Sequence, residues 1–180
     1  MIGLGAVFTL ARFSEAFLVL RAQQSGVPLA LIPLVMVVMN VLYSLSAYPF
    51  GKLSDGMSHT RLLQWGLVVL IGADIVLALS THWVGIIVGV ALWGVHMGMT
   101  QGLLAAMVAK TAPADLRGTA FGIFSLLSGG GLLIASVGAG AIWETWGAEY
   151  TFYAGAAICV ATLVYLRKTP ERQGDVDSGK

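Results

Sequence analysis

The chain has 180 residues, of which 57% are hydrophobic. With its 23 glycines the apolar share is about 70%, against about 45–50% in a soluble domain, and charged residues make up 11% where about 25% is usual. Ten basic and nine acidic residues cannot cover a water-soluble domain of this hydropathy (mean +0.84), and the same shortage of charge excludes disorder. A net charge of +1 gives no basic footprint for nucleic acid. A polytopic membrane protein remains, with the lipid bilayer as its solvent.

Six stretches are long and apolar enough to cross the bilayer: 3–21, 31–50, 62–80, 84–108, 119–142 and 150–166. None reads as an alternating strand, so the expected class is all-α. Residues 1–167 form the transmembrane bundle, and 168–180 a disordered tail. The prolines fall in connectors, in the tail or near span ends, as expected of a residue that breaks helix interiors. Arg12 interrupts the first apolar stretch and no basic segment precedes it, so the N-terminus does not read as a signal peptide. Eight of the ten basic residues (Lys52, Arg61, Lys110, Arg117, Arg167, Lys168, Arg172 and Lys180) lie in connectors 51–61 and 109–118 or in the tail. The positive-inside rule places that side, and both termini, in the cytoplasm of a cell (plasma or inner) membrane. Trp83, Trp143, Trp146 and Tyr150 mark the opposite interface.

In the first span Arg12 and Glu15 are i,i+3 neighbours and are expected to pair. Intramembrane charges face a protein interior or a wet cavity, so the pair is either a substrate or proton site or an ion pair that locks helices. The second span puts Met36, Asn40, Tyr43, Ser44 and Ala47 on one face at helical spacing, a stripe suited equally to a cavity wall and to interhelical hydrogen bonds. In the third, Asp74 reads as a proton carrier or as a side chain that snorkels or meets a hydroxyl. The fourth carries two overlapping GxxxG steps, Gly94/Gly98/Gly102, a ridge for close backbone approach. His96 and Thr100 point away from that ridge with Trp93 on their side, towards a cavity or another packing face. The fifth repeats small-residue spacing at Gly118/Gly122 and Ser125/Gly129, with a glycine triplet at 129–131.

Enzyme motifs are absent from the sequence: there is no HExxH, no Walker loop and no GxSG. One cysteine, Cys159, excludes a disulfide framework. The histidines at 59, 82 and 96 are too scattered for a metal site, and no cofactor is implied.

The connector GKLSDGMSHTR (51–61) resembles the signature loop of the major facilitator superfamily. Gly51, Leu53, Ser54 and Asp55 match; Gly56 and Ser58 depart from it, and His59-Thr60-Arg61 only roughly reproduces its basic end. PADLRGTAFG (113–122) is similar to the P-x-x-x-R-G stretch that enters the fifth helix of a half, through Arg117 and Gly118. The resemblance implies a fold of two six-helix halves, each of two inverted three-helix repeats. This chain would be one half, the C-terminal one. It further implies a central cavity lined by the first and fourth helices (Arg12, Glu15, Trp93, His96, Thr100). The second and fifth helices would meet the other half, with Asn40, Tyr43 and Ser44 there. The loop residues Gly51, Leu53, Asp55, Arg61, Arg117 and Gly118 would bias conformational switching, and Asp74 would lie on a peripheral helix. The expected function is transport of a small solute by alternating access, gradient- or proton-coupled. The expected partner is a second half, either the N-terminal part of a longer chain or a second copy. The alternative is a non-transporting assembly module that docks through its glycine-rich helices.

Overall fold

The computed structural model describes residues 12–168. Among these the chain is helical without strands: α1 (Ala16–Gln24), a 3-10 turn (Leu29–Leu31), α2 (Ile32–Gly56), α3 (His59–Leu79), α4 (Trp83–Thr111), α5 (Arg117–Trp146) and α6 (Ala148–Lys168). Five of them, α2 to α6, are long and apolar enough to cross a membrane. At 1.5 Å per residue even the 21-residue α3 and α6 reach about 31 Å, the thickness of the hydrocarbon core. Of the first expected span, residues 3–11 lie outside the described residues, so the expected total of six is met only as far as α1 reaches. The expected tail also lies outside them, except Lys168, which ends α6.

Connections are shorter than the sequence suggests. The expected break after Phe50 does not occur: α2 runs through Pro49 to Gly56, leaving only Met57 and Ser58 before α3. Pro49 removes one donor, and the carbonyl it would have served belongs to Leu45 on the exposed side of α2, where nothing packed depends on it. Ser58 Oγ caps α3 by accepting from the Arg61 amide at 3.4 Å, and His82 Nδ1 caps α4 by accepting from Val84 at 3.3 Å. Gly147 has φ +107°, which lets α5 end at Trp146 and α6 begin at Ala148 with this one residue between them.

The core forms where α4 lies between α2 and α3, and α3 between α4 and α6. The Gly94/Gly98 ridge faces α2: a Cβ on Gly94 would fall on the Met39 carbonyl, and one on Gly98 on Ser46 Oγ. The third glycine of the ridge, Gly102, has nothing within 4 Å. The opposite side of α4 meets α3 at Gly66, where an added Cβ would lie 2.5 Å from the Thr100 methyl. Helix α5 makes lighter contacts, with α6 and α4, and has one buried residue, Ala139.

The C-terminal end of α3 is tied to α1 by Arg21. The expected first span stopped at this residue, with Arg21 in an outer connector. It lies instead inside α1, buried, where Nε donates to the Leu77 carbonyl (3.0 Å) and an Nη to those of Ala78 (3.2 Å) and Ser80 (3.0 Å). These are carbonyls that a helix C-terminus leaves unpaired, and a cation there also complements the helix dipole. Arg21→Leu is expected to destabilise the bundle by about 2–3 kcal/mol, the range for a charged hydrogen bond lost with its acceptors left buried. Arg21→Lys should recover only part of this, because a point charge cannot fork across three carbonyls. Thermal unfolding midpoints in detergent would show the ordering, and equal midpoints for all three proteins would remove the clamp.

Candidate functional site

The residues expected to line a cavity divide into three groups. The first gathers around Arg12. The described part of α1 starts at Ala16, with Arg12 in the non-helical segment before it and Glu15 at the N-cap. The shared helix face that motivated an i,i+3 pair is therefore absent, and no direct ion pair joins the two. Arg12 is half-buried, within electrostatic reach of Glu15, Tyr43 and His96. Groups from the α1 N-cap, α2 and α4 thus interact electrostatically with one cation. The segment is held in place by Ser14, whose amide donates to Ser136 Oγ of α5 at 3.1 Å.

The second group lies on the side of α4 facing α3. His96 is fully buried, with Nδ1 2.8 Å from the Gly66 carbonyl, and Thr100 Oγ1 donates to the His96 carbonyl at 2.9 Å. The carbonyl acceptor means Nδ1 carries the proton. Both side chains fill the α3–α4 contact here, where the cavity expectation had them lining open space. Trp93 is buried against Phe13, with ring centroids 5.3 Å apart. Its Nε1 donor finds no acceptor among the described residues.

The third group is on the outside of α2. Asn40 and Ser44 share a shallow groove of about 450 Å³ with Met36, Val37, Val41 and Leu45. Asn40 Nδ2 donates to the Met36 carbonyl and Ser44 Oγ to that of Asn40, both at 2.8 Å. Their polarity is satisfied on their own helix. The expected stripe therefore splits, because Tyr43 and Ala47 turn their backbones to Gly98 of α4 while Asn40 and Ser44 stay exposed.

The signature residues Gly51, Leu53 and Asp55 sit on the exposed last turns of α2, a helix where a loop was expected. Arg61 is exposed in the first turn of α3, and Arg117 and Gly118 open α5, also exposed. At the same end Lys110 Nζ meets His59 Nε2 at 3.2 Å, linking the end of α4 to the start of α3.

Two residues outside the expected site carry unusual burial: Arg21, described above, and Asp74. The sequence offers a signal for Asp74, a lone carboxylate in a 21-residue apolar span. The alternatives of snorkelling or a hydroxyl partner are not what the structure has: Asp74 is 0% exposed, and neither oxygen is hydrogen-bonded among the described residues.

Long apolar helices, buried polar groups between them and short connections define a multi-pass membrane protein. The family model of the Major Facilitator Superfamily matches residues 1–180, and the chain belongs to that family, one of transporters and not of enzymes. Similar proteins include the uncharacterized MFS-type transporter MJ1317 of Methanocaldococcus jannaschii, 30% identical over 169 residues, 91% of this chain and 42% of that protein. Myo-inositol transporter 2 of Schizosaccharomyces pombe is 30% identical over 128 residues, 71% of this chain and 23% of its own length. The high-affinity glucose transporter ght5 of the same yeast is 34% identical over 78 residues, 43% of this chain and 14% of its own. The chain thus spans less than half the length of these curated relatives.

Proposed function

We propose that this chain is one six-helix half, the C-terminal one, of a secondary carrier that moves a small solute across the cell membrane by alternating access. Residues 1–167 form the transmembrane unit, with both termini cytoplasmic. The observation that carries this reading is the bare face of α2 and α5. In thirty residues α5 buries only Ala139, and Gly118, Gly122, Gly129, Gly130 and Gly138 have nothing within 4 Å. Small residues open to close approach, beside the polar Asn40 and Ser44 of the α2 groove, suit a protein partner better than lipid. A second half covering that face would close a cavity around Arg12, Glu15 and Tyr43. It would also bring its own helix end to Asp55, where a carboxylate complements the dipole. Coverage of 42% of a full-length relative supports the same division.

The names of two relatives make myo-inositol and glucose the first solutes to test. Uptake of either into vesicles holding the complete transporter, driven by a proton or ion gradient, is the expected result. A second unit bound over α2 and α5 with no movement of any solute would select an assembly module instead. Orientation is tested separately. Cysteines placed at Ser58 and Thr81 should label from opposite faces of the membrane, Ser58 from the cytoplasmic one, and labelling of both from one face would overturn the topology.

A further inference from the structure

Asp74 lies on the side of α3 that faces α6. A Cβ on Gly155 would stand 2.9 Å from Asp74 Oδ2 and 2.8 Å from Phe13 Cε1, so the glycine lets carboxyl and ring meet at the α6 backbone. The Phe13 ring also packs on Trp93 (5.3 Å) and Phe152 (5.6 Å), which closes the pocket with aromatic surface.

The cations nearby are engaged elsewhere. Arg21 gives its donors to the Leu77, Ala78 and Ser80 carbonyls, and Arg12 interacts electrostatically with Glu15 and Tyr43. From α4, His96 bonds Gly66, eight residues back along α3 and so about 12 Å away by helical rise. Helix α6 has no charged residue between Glu149 and Arg167, and the titratable group it brings to Asp74 is the Cys159 thiol. Among the described residues the Asp74 carboxyl, fully buried between membrane helices, therefore has neither a counter-ion nor a hydrogen-bond donor, and burying an unpaired charge is costly.

We propose that Asp74 is a proton-binding site, occupied in this conformation and sealed by the Phe13 ring. Loading converts carboxylate and hydronium to neutral acid and water, and release runs the same step backwards once the ring withdraws from Gly155. Use of this proton to drive transport rests on the carrier reading above; its binding does not.

The test is infrared spectroscopy of this 180-residue chain in lipid vesicles at about pH 7, where an ordinary aspartate is ionised. Labelling aspartate with carboxyl carbon-13 should shift a protonated-carboxyl C=O stretch. That band should vanish in Asp74→Asn. It should persist when the four other aspartates of this chain, Asp55, Asp115, Asp175 and Asp177, are all changed to asparagine, a variant that decides the matter even if Asp74→Asn fails to fold. Absence of a label-sensitive band in wild type or in this single-aspartate protein overturns the proposal, as does a band surviving in Asp74→Asn. In deuterated buffer the band should exchange slowly, and at least ten-fold faster in Phe13→Ala; an unchanged rate overturns the seal. A carrier that transports without the band loses this site and keeps its function, while a band without uptake does the reverse.

Discussion

Gly98→Leu is expected to prevent stable packing of α2 against α4. A side chain at 98 would point straight at backbone: its Cβ would fall on Ser46 Oγ and lie 2.8 Å from the Tyr43 carbonyl and 2.9 Å from the Ala47 amide. Ser46 cannot simply turn aside, because its hydroxyl is bonded to the Leu42 carbonyl at 2.6 Å and to that of Tyr43 at 3.0 Å. Overpacking of ordinary side chains costs about 1–3 kcal/mol. Backbone cannot repack as side chains do, so Gly98→Ala should reach the upper part of that range and Gly98→Leu exceed it. Gly102→Leu, with open space around it, is the control and should leave the unfolding midpoint in detergent near wild type. Equal midpoints for Gly98→Leu and Gly102→Leu would mean that α2 and α4 do not meet at this ridge.

The second large effect concerns Arg12. If it holds the solute, as proposed, the double variant Arg12→Leu/Glu15→Leu should lose uptake by about 10–100-fold, the equivalent of one charged hydrogen bond of 1.5–3 kcal/mol. Membrane abundance should stay normal, because no ion pair between the two residues is lost. Arg12→Lys should keep part of the activity, since the charge remains while the planar fork is gone. Wild-type uptake in the double variant would leave Arg12 a structural residue and move the binding site elsewhere.

Reading helices from this sequence succeeds because the bilayer imposes one condition, about 20 apolar residues per crossing, that composition alone can meet. Spans 31–50, 62–80, 84–108, 119–142 and 150–166 each fall on an observed helix, with the ends displaced by up to six residues. The largest displacement is α2 running on past Pro49, whose missing donor leaves unserved a carbonyl, that of Leu45, on the exposed side of the helix. The family is legible as well, since residues 51–61 and 113–122 carry its motifs in sequence, whatever backbone they adopt.

The candidate site is legible only in part. Periodicity groups Met36, Asn40, Tyr43 and Ser44 on one face of α2, but a helix surface is continuous, and only the approach of α4 at Gly98 divides it into a packed side and an open groove. In the same way His96 and Thr100 are correctly set opposite the glycine ridge, yet nothing local tells whether that side meets water or Gly66 of α3.

The sequence by itself determined the solvent, the helical class and the family. These depend on composition, on local spacing and on a short motif, none of which requires knowing what lies beside what. Only the tertiary structure decided that Arg21 is a buried clamp on the end of α3, that Arg12 and Glu15 are not paired, and that Asp74 is buried with neither oxygen hydrogen-bonded among the described residues. Each of these depends on which helix comes to lie against which, so that Arg21 meets carbonyls 56 to 59 residues away in the chain, a distance over which sequence spacing carries no geometric information.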